Sequence, residues 1–369
     1  TVTGVQTCAL PIFDRTTDWK LFRYSTEGAR TILGALAGSM LTFIVFVLSA
    51  TLIVVQLAAG QLTPRVIGII FAMPRVKIIL GLFTFTFTFT LAALARVEER
   101  VPDLHVGVAV ILNLLCMMTF FLFVQLLSNG LRPTALMRIV ADKGRKVIEL
   151  AYPMAYNPDR PESTRRAETV SSPVQVVEFT GRSGIVQAFS IPALSRRARE
   201  AGAVIEVIPQ VGDFIAIGDP LLRVSGGART IPVNELWGCV AIGAERTLEQ
   251  DPRFAFRILV DIASRALSPG INDPTTAVQA LDQIHHLLLD VGRRQLDDGL
   301  VHDREGNLRL VFGCPDWTDY VVLAAAEIRQ YGQGSLQVTR RLRAMLEHLL
   351  EVLPEPRRQP LREELALLG

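Results

Sequence analysis

Apolar and polar positions divide the chain into a strongly apolar first third and a mixed remainder. Three segments without a charged side chain, at residues 31–59, 78–95 and 104–127, each approach or exceed the roughly 20 apolar residues that a helix needs to cross a bilayer. The pattern predicts three membrane-spanning helices within residues 14–150, together with a flanking helix.

The run GLFTFTFTFTL, residues 81–91, alternates phenylalanine and threonine, and a period of two is typical of a β-strand. A lone strand in a bilayer leaves its N–H and C=O groups unpaired, whereas a helix pairs them internally. We therefore predict a helix, with Thr84 and Thr88 on one face and Thr86 and Thr90 on another. Each hydroxyl can bond a carbonyl one turn earlier or reach a neighbouring helix.

Small and polar residues mark candidate contacts in the membrane part. Gly34 and Gly38 form a GxxxG pattern, which either packs helices within one chain or joins two copies of it. Thr84, Thr88 and Asn113 either bond neighbouring helices or line a pore. No acidic or basic residue is assigned to any span, which weighs against a proton-coupled transporter.

The polar remainder changes character twice. Residues 151–173 hold four prolines and predict a linker. Residues 174–248 predict short strands around one helix at 191–202, and their glycine-rich turns make the outline similar to the barrel-sandwich hairpins of biotinyl and lipoyl carrier domains. The tip lacks the lysine to which such a carrier attaches its cofactor, so we do not expect a swinging arm.

Residues 249–369 are predicted to be helical. Proline, glycine and capping residues bound four candidate helices, at about 252–267, 274–291, 317–331 and 336–352. The predicted fold is an α-helical membrane anchor followed by an α+β region, which consists of a small strand-rich domain and then a helical domain.

Composition supports a membrane protein. The 369 residues are 50% hydrophobic and only 20% charged, and the net charge of +2 gives no reason to expect a nucleic-acid partner. Four well-separated cysteines fit a reducing compartment better than a disulfide framework. Lysine and arginine in the span flanks number eight on the side of the C-terminus and six on the other, which predicts a cytoplasmic C-terminal region.

Residues 243–284 carry the densest set of helix signals. Thr247 with Gln250 predicts a capping box, and Asp251 before proline predicts a second helix start. Arg257, Asp261 and Arg265 follow at spacings of four, as in a charge ladder.

The junction SPGINDPTTA, residues 268–277, allows three interpretations. It can be a demanding connection between helices, in which Gly270 supplies conformational freedom and Asp273 caps the next helix. It can be an anion site in which Arg257, Arg265, Asn272 and Asp273 surround a helix N-terminus. It can also be a catalytic site, but the chain has no Gly-rich phosphate loop, HExxH or GxSxG motif.

Adjacent histidines at 285 and 286 point about 100° apart on a helix and cannot chelate jointly from one face. We therefore predict no catalytic residue, no metal site and no cofactor.

The segment GAERTLEQDPRFAFRILVDIASRALSPGINDPTTAVQALDQI resembles the signature of bacterial predicted membrane proteins of domain-of-unknown-function family 2254. LAGSMLTFIVFVLSATLIVVQLAAGQLTPRV, VGDFIAIGDPL and IRQYGQGSLQV are similar to that family too, so the resemblance runs from about Leu21. The family's usual first membrane helix is replaced here by TVTGVQTCALPIF, residues 1–13, which we interpret as a non-native scar on a truncated reading frame.

The resemblance implies a location and an architecture rather than a reaction. The expected protein spans the bacterial inner membrane several times and acts as a non-enzymatic channel-like or assembly protein with a ligand-sensing cytoplasmic domain. The alternatives are a membrane-anchored scaffold for another protein and a membrane-bound enzyme. Expected partners are the lipid bilayer, further copies of the chain and a small anionic ligand, without nucleic acid.

Overall fold

The computed structural model describes residues 24–61, 74–97, 103–130, 133–159, 173–227 and 230–369. The chain forms two compact units that divide between Ala135 and Leu136. The predicted scar at residues 1–13 lies outside the described residues.

Three long helices make up the described part of the first unit: α1 (Thr26–Gln61), α2 (Pro74–Leu94) and α3 (Asp103–Gly130). Each contains a segment long and apolar enough to cross a membrane, of 28, 18 and 22 residues respectively. The Phe-Thr run lies within α2, so the predicted helix is confirmed. The segment forms a helix despite its period of two, because a helix pairs the backbone N–H and C=O groups internally and needs no neighbouring strand.

The three helices contact one another through an aromatic and aliphatic core. Phe83 of α2 and Phe123 of α3 are fully buried, and Met40 of α1 packs in the same cluster. At one end, the Arg30 guanidinium donates to the Val97 carbonyl at 2.9 and 3.1 Å, which joins α1 to the turn that follows α2. Many large apolar side chains point outward from all three helices, as expected for helices that face lipid.

Helix α4 (Pro133–Ala151) belongs to the second unit from Leu136 onward. Its buried residues recur every three or four positions, so one face of the helix is apolar. At Gly144 an added Cβ would lie 2.6 Å from the Ala255 Cβ, so only glycine allows this close approach.

The described end of the predicted linker is held in the second unit. The Tyr156 N–H donates to the Arg293 carbonyl at 2.9 Å, and the Gln295 N–H donates to the Met154 carbonyl at 2.9 Å. Residues 160–172 lie outside the described residues, and the linker as a whole stays a prediction.

Two sheets form the β part of the second unit. The five-stranded sheet has the order β1-β5-β3-β8-β7 and the three-stranded sheet has the order β4-β2-β6. The strands are β1 (Pro173–Glu178), β2 (Gly184–Phe189), β3 (Ala203–Val207), β4 (Phe214–Ile215), β5 (Pro220–Gly226), β6 (Val240–Gly243), β7 (Leu300–His302) and β8 (Leu308–Phe312). Helix α5 (Ile191–Ala201) packs on β3 and β8, and the short α6 (Val233–Trp237) precedes β6.

The barrel-sandwich prediction is not confirmed, because the described strands form two open sheets and no closed barrel. The predicted turns are present, with Gly212 and Gly218 at φ 96° and 90°. Strand β8 lies in the segment predicted to be helical, yet it pairs in parallel with β3 through Ile205 and Leu310. The division into a strand-rich and a helical domain stays a prediction. The five-stranded sheet contains strands from both sides of the predicted boundary.

The helical part follows the sequence signals closely. It comprises α7 (Pro252–Ala266), α8 (Pro274–Gly292), α9 (Trp317–Gly332), α10 (Leu336–Val352), a 3-10 turn (Glu355–Arg357) and α11 (Arg358–Ala366). The four predicted helices are confirmed with bounds within one residue.

The predicted Thr247–Gln250 capping box is wrong, since no helix begins at Thr247. The Gln250 side chain instead accepts the Phe189 N–H at 3.1 Å. Asp251, one residue later, caps α7 by accepting the Phe254 N–H at 3.1 Å.

Candidate functional site

A polar cluster lies inside the membrane helices between α2 and α3. The Asn113 amide donates to the Thr90 hydroxyl at 3.3 Å and to the Ala109 carbonyl at 2.8 Å. The Cys116 thiol donates to the Thr86 hydroxyl at 3.2 Å. Both threonines are fully buried, so the cluster joins helices within one chain.

Thr84 and Thr88 lie on another face of α2, where both are exposed. Their hydroxyls donate to the Leu80 and Thr84 carbonyls, each at 2.9 Å. The structure therefore does not bring them together with Asn113, and a role in a pore stays a prediction.

Gly34 and Gly38 are exposed on α1, and an added Cβ at either would meet no atom within 4 Å in the described residues. The described part of the chain therefore shows no packing against this GxxxG face. A contact between copies stays a prediction.

His105 is an ionisable residue that the sequence analysis overlooked. It lies in the third candidate span, is 5% exposed, and stacks on Phe89 with the ring centroids 6.5 Å apart. The interpretation that no acidic or basic residue occurs inside a span is wrong here, because histidine is ionisable and His105 lies in the first turn of α3.

At the predicted anion site, Arg257 is already paired. Its guanidinium donates to both Glu327 carboxylate oxygens at 2.5 Å and to Asp261 at 2.8 Å. The hydrogen bonds from Arg257 lower the pKa of Glu327. Two carboxylates thus balance this guanidinium, which leaves little positive charge for a ligand.

The junction itself is organised by its own side chains. Asp273 is the N-cap of α8, as predicted, and accepts the Thr276 N–H at 3.1 Å and the Thr276 hydroxyl at 2.5 Å. These bonds lower the pKa of Asp273. The left-handed conformation falls on Asn272, at φ 48°, rather than on Gly270, and asparagine tolerates that region better than most residues.

A cavity of about 400 Å³ lies beside the junction. Asn272 contributes to its wall, whereas Arg257 and Arg265 do not, and the wall carries no charged side chain. The structure therefore does not gather the four predicted ligand-binding residues around one space, and ligand binding by Arg257, Arg265, Asn272 and Asp273 stays a prediction.

His285 meets a second histidine that is distant in sequence. Its Nε2 lies 2.9 Å from the His348 Nδ1, and its Nδ1 lies 3.0 Å from the Arg341 Nη2. The Nε of the same guanidinium donates to Asp282 at 2.7 Å. Burial and then the Arg341 charge lower the pKa of His285 to about 4. Among the described residues no group of three or more His, Cys, Asp or Glu could hold a metal ion.

The second unit contains a cavity of about 680 Å³, a size typical of sites for small molecules. Its wall combines the end of α4, the β2–α5 connection, β6, the start of α7 and the end of β8. The apolar lining includes Val147, Leu150, Ala151, Phe189, Ile191, Val211, Val240 and Phe312. No sequence pattern indicates it, because its wall is assembled from segments spread over almost half of the chain.

Arg253 supplies a cation to this cavity. One of its terminal nitrogens lies 3.5 Å from the Gln210 side-chain oxygen, and its buried Nε has no hydrogen-bond partner among the described residues. A buried donor without a partner costs about 1–3 kcal/mol, so an acceptor in the cavity would relieve that cost.

The acid nearest to Arg253 in sequence is hydrogen-bonded to a different arginine. Asp251 also lines the cavity, but it accepts two hydrogen bonds from Arg246, at 2.9 and 2.5 Å. Burial raises the pKa of Asp251, while the Arg246 charge opposes that rise.

One tyrosine and two cysteines also line the cavity, and a second tyrosine lies behind the first. Tyr152 lines the cavity, and its hydroxyl bonds that of the buried Tyr320 at 3.0 Å. Burial raises the pKa of both phenols far above the usual range. Cys239 and Cys314 also line the cavity, and burial raises the pKa of the Cys239 thiol. Both phenols and the Cys239 thiol are therefore neutral at physiological pH.

Comparison with known proteins gives relatives in mycobacteria. Uncharacterized proteins of Mycobacterium bovis and of two strains of Mycobacterium tuberculosis are each 27% identical over 381 residues, covering 99% of this chain and 72% of the relative. No solved structure matches the chain. The family model described as "Predicted membrane protein (DUF2254)" matches residues 2–348. The chain therefore belongs to this family of predicted membrane proteins.

Proposed function

We propose that this protein is a non-enzymatic ligand sensor of the bacterial inner membrane, which assembles through its membrane helices and binds a small molecule in the second unit. The observation that carries the proposal is the Arg253 Nε, a buried donor without a partner in the wall of a largely apolar cavity. Small-molecule sites commonly combine an apolar lining with a few convergent polar groups.

The lining defines the chemistry of the ligand. The apolar wall favours a hydrocarbon body, and Arg253 favours an oxygen acceptor, best a carboxylate, because guanidinium bonds to an anion are about twice as strong as neutral ones. Two of the three acids in the described wall are already engaged, since Asp251 pairs with Arg246 and Asp297 accepts the Gly299 N–H at 3.0 Å. The third, Glu249, is exposed to solvent. The proposed ligand is therefore a small amphipathic anion.

The membrane part supports the assembly half of the proposal. The exposed Gly34–Gly38 face of α1 gives a second copy a place of close approach. The exposed Thr84 and Thr88 hydroxyls would line a pore only if several copies enclosed them, which is the channel-like form of the proposal.

The bias of lysine and arginine supports a cytoplasmic second unit. Alkaline phosphatase and a fluorescent protein, fused separately after Gly369, would test this orientation. Fluorescence without phosphatase activity is expected, and the reverse pattern would place the second unit outside the cytoplasm.

Cysteine alkylation tests the ligand directly, because Cys239 and Cys314 line the cavity. The full-length protein in detergent is treated with N-ethylmaleimide, with and without octanoate, and labelling of each cysteine is followed by mass spectrometry. We expect octanoate to slow labelling of both residues, while Cys116, which is 2% exposed in the membrane cluster, serves as an internal reference.

Two controls separate a bound anion from general detergent effects. Arg253→Gln should abolish most of the protection, whereas Arg293→Gln, which removes an exposed charge away from the cavity wall, should preserve it. Octan-1-ol, which lacks the anion, should protect weakly and equally in all variants. Absence of protection in the wild type, or equal protection in Arg253→Gln, contradicts the proposal.

A further inference from the structure

A second, smaller cavity of about 230 Å³ lies where α5 meets the β7–β8 hairpin. Four arginines and a histidine line it, namely Arg196, Arg199, Arg304, Arg309 and His302. Asp303 is its only acidic lining residue in the described part of the chain. The cavity is separate from the larger one described above, with which it shares Pro192 alone.

The single carboxylate is already committed. Asp303 accepts the Arg309 Nε at 2.8 Å and also the backbone N–H groups of Glu305 and Asn307, at 3.0 and 2.9 Å. The side chains of Arg196, Arg199 and Arg304 form no ion pair or hydrogen bond within the described residues. Three exposed arginines without an ion-pair partner therefore line one small space.

Another arginine of α5 does have ion-pair partners, so in the described part of the chain the absence of partners is confined to the side of the helix that lines the cavity. Arg197, on another side of the same helix, forms ion pairs with Glu200 and Glu235. Arg199, in the last turn of α5, also complements the helix dipole, which accounts for one of the three charges. Arg196 and Arg304 have no such structural role, and like charges that gather without an anion repel one another.

Ser195 supplies an independent observation. Ser195 lines the cavity, and its buried hydroxyl has no hydrogen-bond partner among the described residues. A buried hydroxyl normally finds a partner, and a helical serine can usually bond a carbonyl one turn earlier. The hydroxyl is therefore available to donate to a ligand oxygen.

We propose that Ser195, Arg196, Arg199 and Arg304 form a binding site for a phosphate monoester. A phosphate offers several acceptor oxygens and close to two negative charges, and the planar guanidinium matches phosphate oxygens in a bidentate fashion. The volume admits a phosphate group with a small substituent. The monoester is either free in solution or the headgroup of an anionic lipid.

Two arms of one experiment distinguish these sources, both with the full-length protein in lipid nanodiscs. In the first arm, glycerol 3-phosphate is titrated calorimetrically into protein held in phosphatidylcholine nanodiscs. In the second, the thermal unfolding midpoint is compared in nanodiscs containing phosphatidic acid, a monoester, or phosphatidylglycerol, a diester. Binding heat supports a free ligand, and stabilisation by phosphatidic acid above phosphatidylglycerol supports a lipid ligand.

Variants connect either result to the cluster. The double change Arg196→Gln with Arg304→Gln should weaken glycerol 3-phosphate binding at least tenfold, or remove the extra stabilisation by phosphatidic acid. Ser195→Ala should weaken binding severalfold. The double change Arg182→Gln with Arg293→Gln removes the same charge from exposed positions outside the cavity and should leave binding unchanged.

Two outcomes overturn the site: no binding heat together with no preference for phosphatidic acid over phosphatidylglycerol in the wild type, or an equal loss of binding in the control variant. If the double glutamine variant does not fold, Arg196→Lys replaces it. It keeps the charge but removes the planar fork, and undiminished affinity in that variant also counts against the site.

Discussion

The Asn113 amide on α3 donates to the Thr90 hydroxyl on α2 across 3.3 Å, and both side chains are buried between the helices. The Thr90 hydroxyl in turn donates to the Thr86 carbonyl at 2.8 Å, so the two residues form a short chain of hydrogen bonds. Inside a bilayer such a bond contributes about 0.6 kcal/mol on average and up to about 1.7 kcal/mol.

Removal of this bond should therefore have a small but measurable effect. Asn113→Leu should lower the free energy of unfolding in mixed micelles by about 1 kcal/mol. A double-mutant cycle with Thr90→Val should show coupling, because the two changes remove the same bond. Thr84→Val is the matched control, since the Thr84 hydroxyl bonds only its own helix. Additive effects of Asn113→Leu and Thr90→Val would mean that the two side chains do not interact.

The second prediction concerns Asp273, the N-cap of α8. Asp273→Ala should cost about 1 kcal/mol, and Asp273→Ser, which keeps a capping oxygen, should cost much less. The measurement is the unfolding midpoint of the second unit within the full-length protein. Ligand protection of Cys239 should be unchanged in Asp273→Ser. If that variant unfolds like the wild type but loses protection, the carboxylate binds or reacts, and capping is not its main role.

The third prediction concerns the pH dependence of stability at His285. Burial, then Arg341 and His348, lower its pKa from 6.5 to about 4, and Asp282 opposes them. Between these two values the unfolded chain binds this proton more readily than the folded protein does, so the contribution of His285 to stability falls as the pH falls from 6.5 to 4. His285→Gln should reduce the loss of stability between pH 7 and pH 4.5. The exposed neighbour offers the control His286→Gln, and equal pH profiles for both variants would contradict the assignment.

The fourth prediction concerns assembly through α1. Gly34→Leu with Gly38→Leu places bulk on the exposed GxxxG face and should weaken self-association at least tenfold, about 1.4 kcal/mol. Gly81→Leu on α2 is the control, because Gly81 is also exposed in a membrane helix and has open space beside it. The oligomer distribution is read by native mass spectrometry in detergent. An unchanged oligomer distribution, or an equal change in Gly81→Leu, would mean that the Gly34–Gly38 face does not mediate assembly.

Local signals explain what the sequence predicts well. Asp251-Pro252 and Asp273-Pro274 each combine a capping carboxylate with a proline, and both helices begin where this signal places them. Membrane helices are equally predictable, because the bilayer constrains their length and requires backbone pairing.

Contacts between distant segments explain what the sequence does not predict. Arg257 and Glu327 lie 70 residues apart, and His285 and His348 lie 63 residues apart, so no spacing rule connects them. Thr247 and Gln250 match the local pattern of a capping box, but no helix begins there. Asp251 caps the helix instead, and the Gln250 side chain accepts a hydrogen bond from β2. The lining of the Arg253 cavity depends on tertiary packing throughout.

Photolabelling measures occupancy of the Arg253 cavity most directly. A diazirine analogue of octanoate is irradiated with the full-length protein, and labelled peptides are mapped by mass spectrometry. The account predicts labels at the cavity wall, around Leu150, Ile191 and Phe312, and unlabelled octanoate should compete with them. Arg253→Gln should lose these labels, whereas Arg293→Gln should retain them. Labels confined to the membrane helices, or equal labelling of the wall in Arg253→Gln, would contradict the claim that this cavity binds an amphipathic anion.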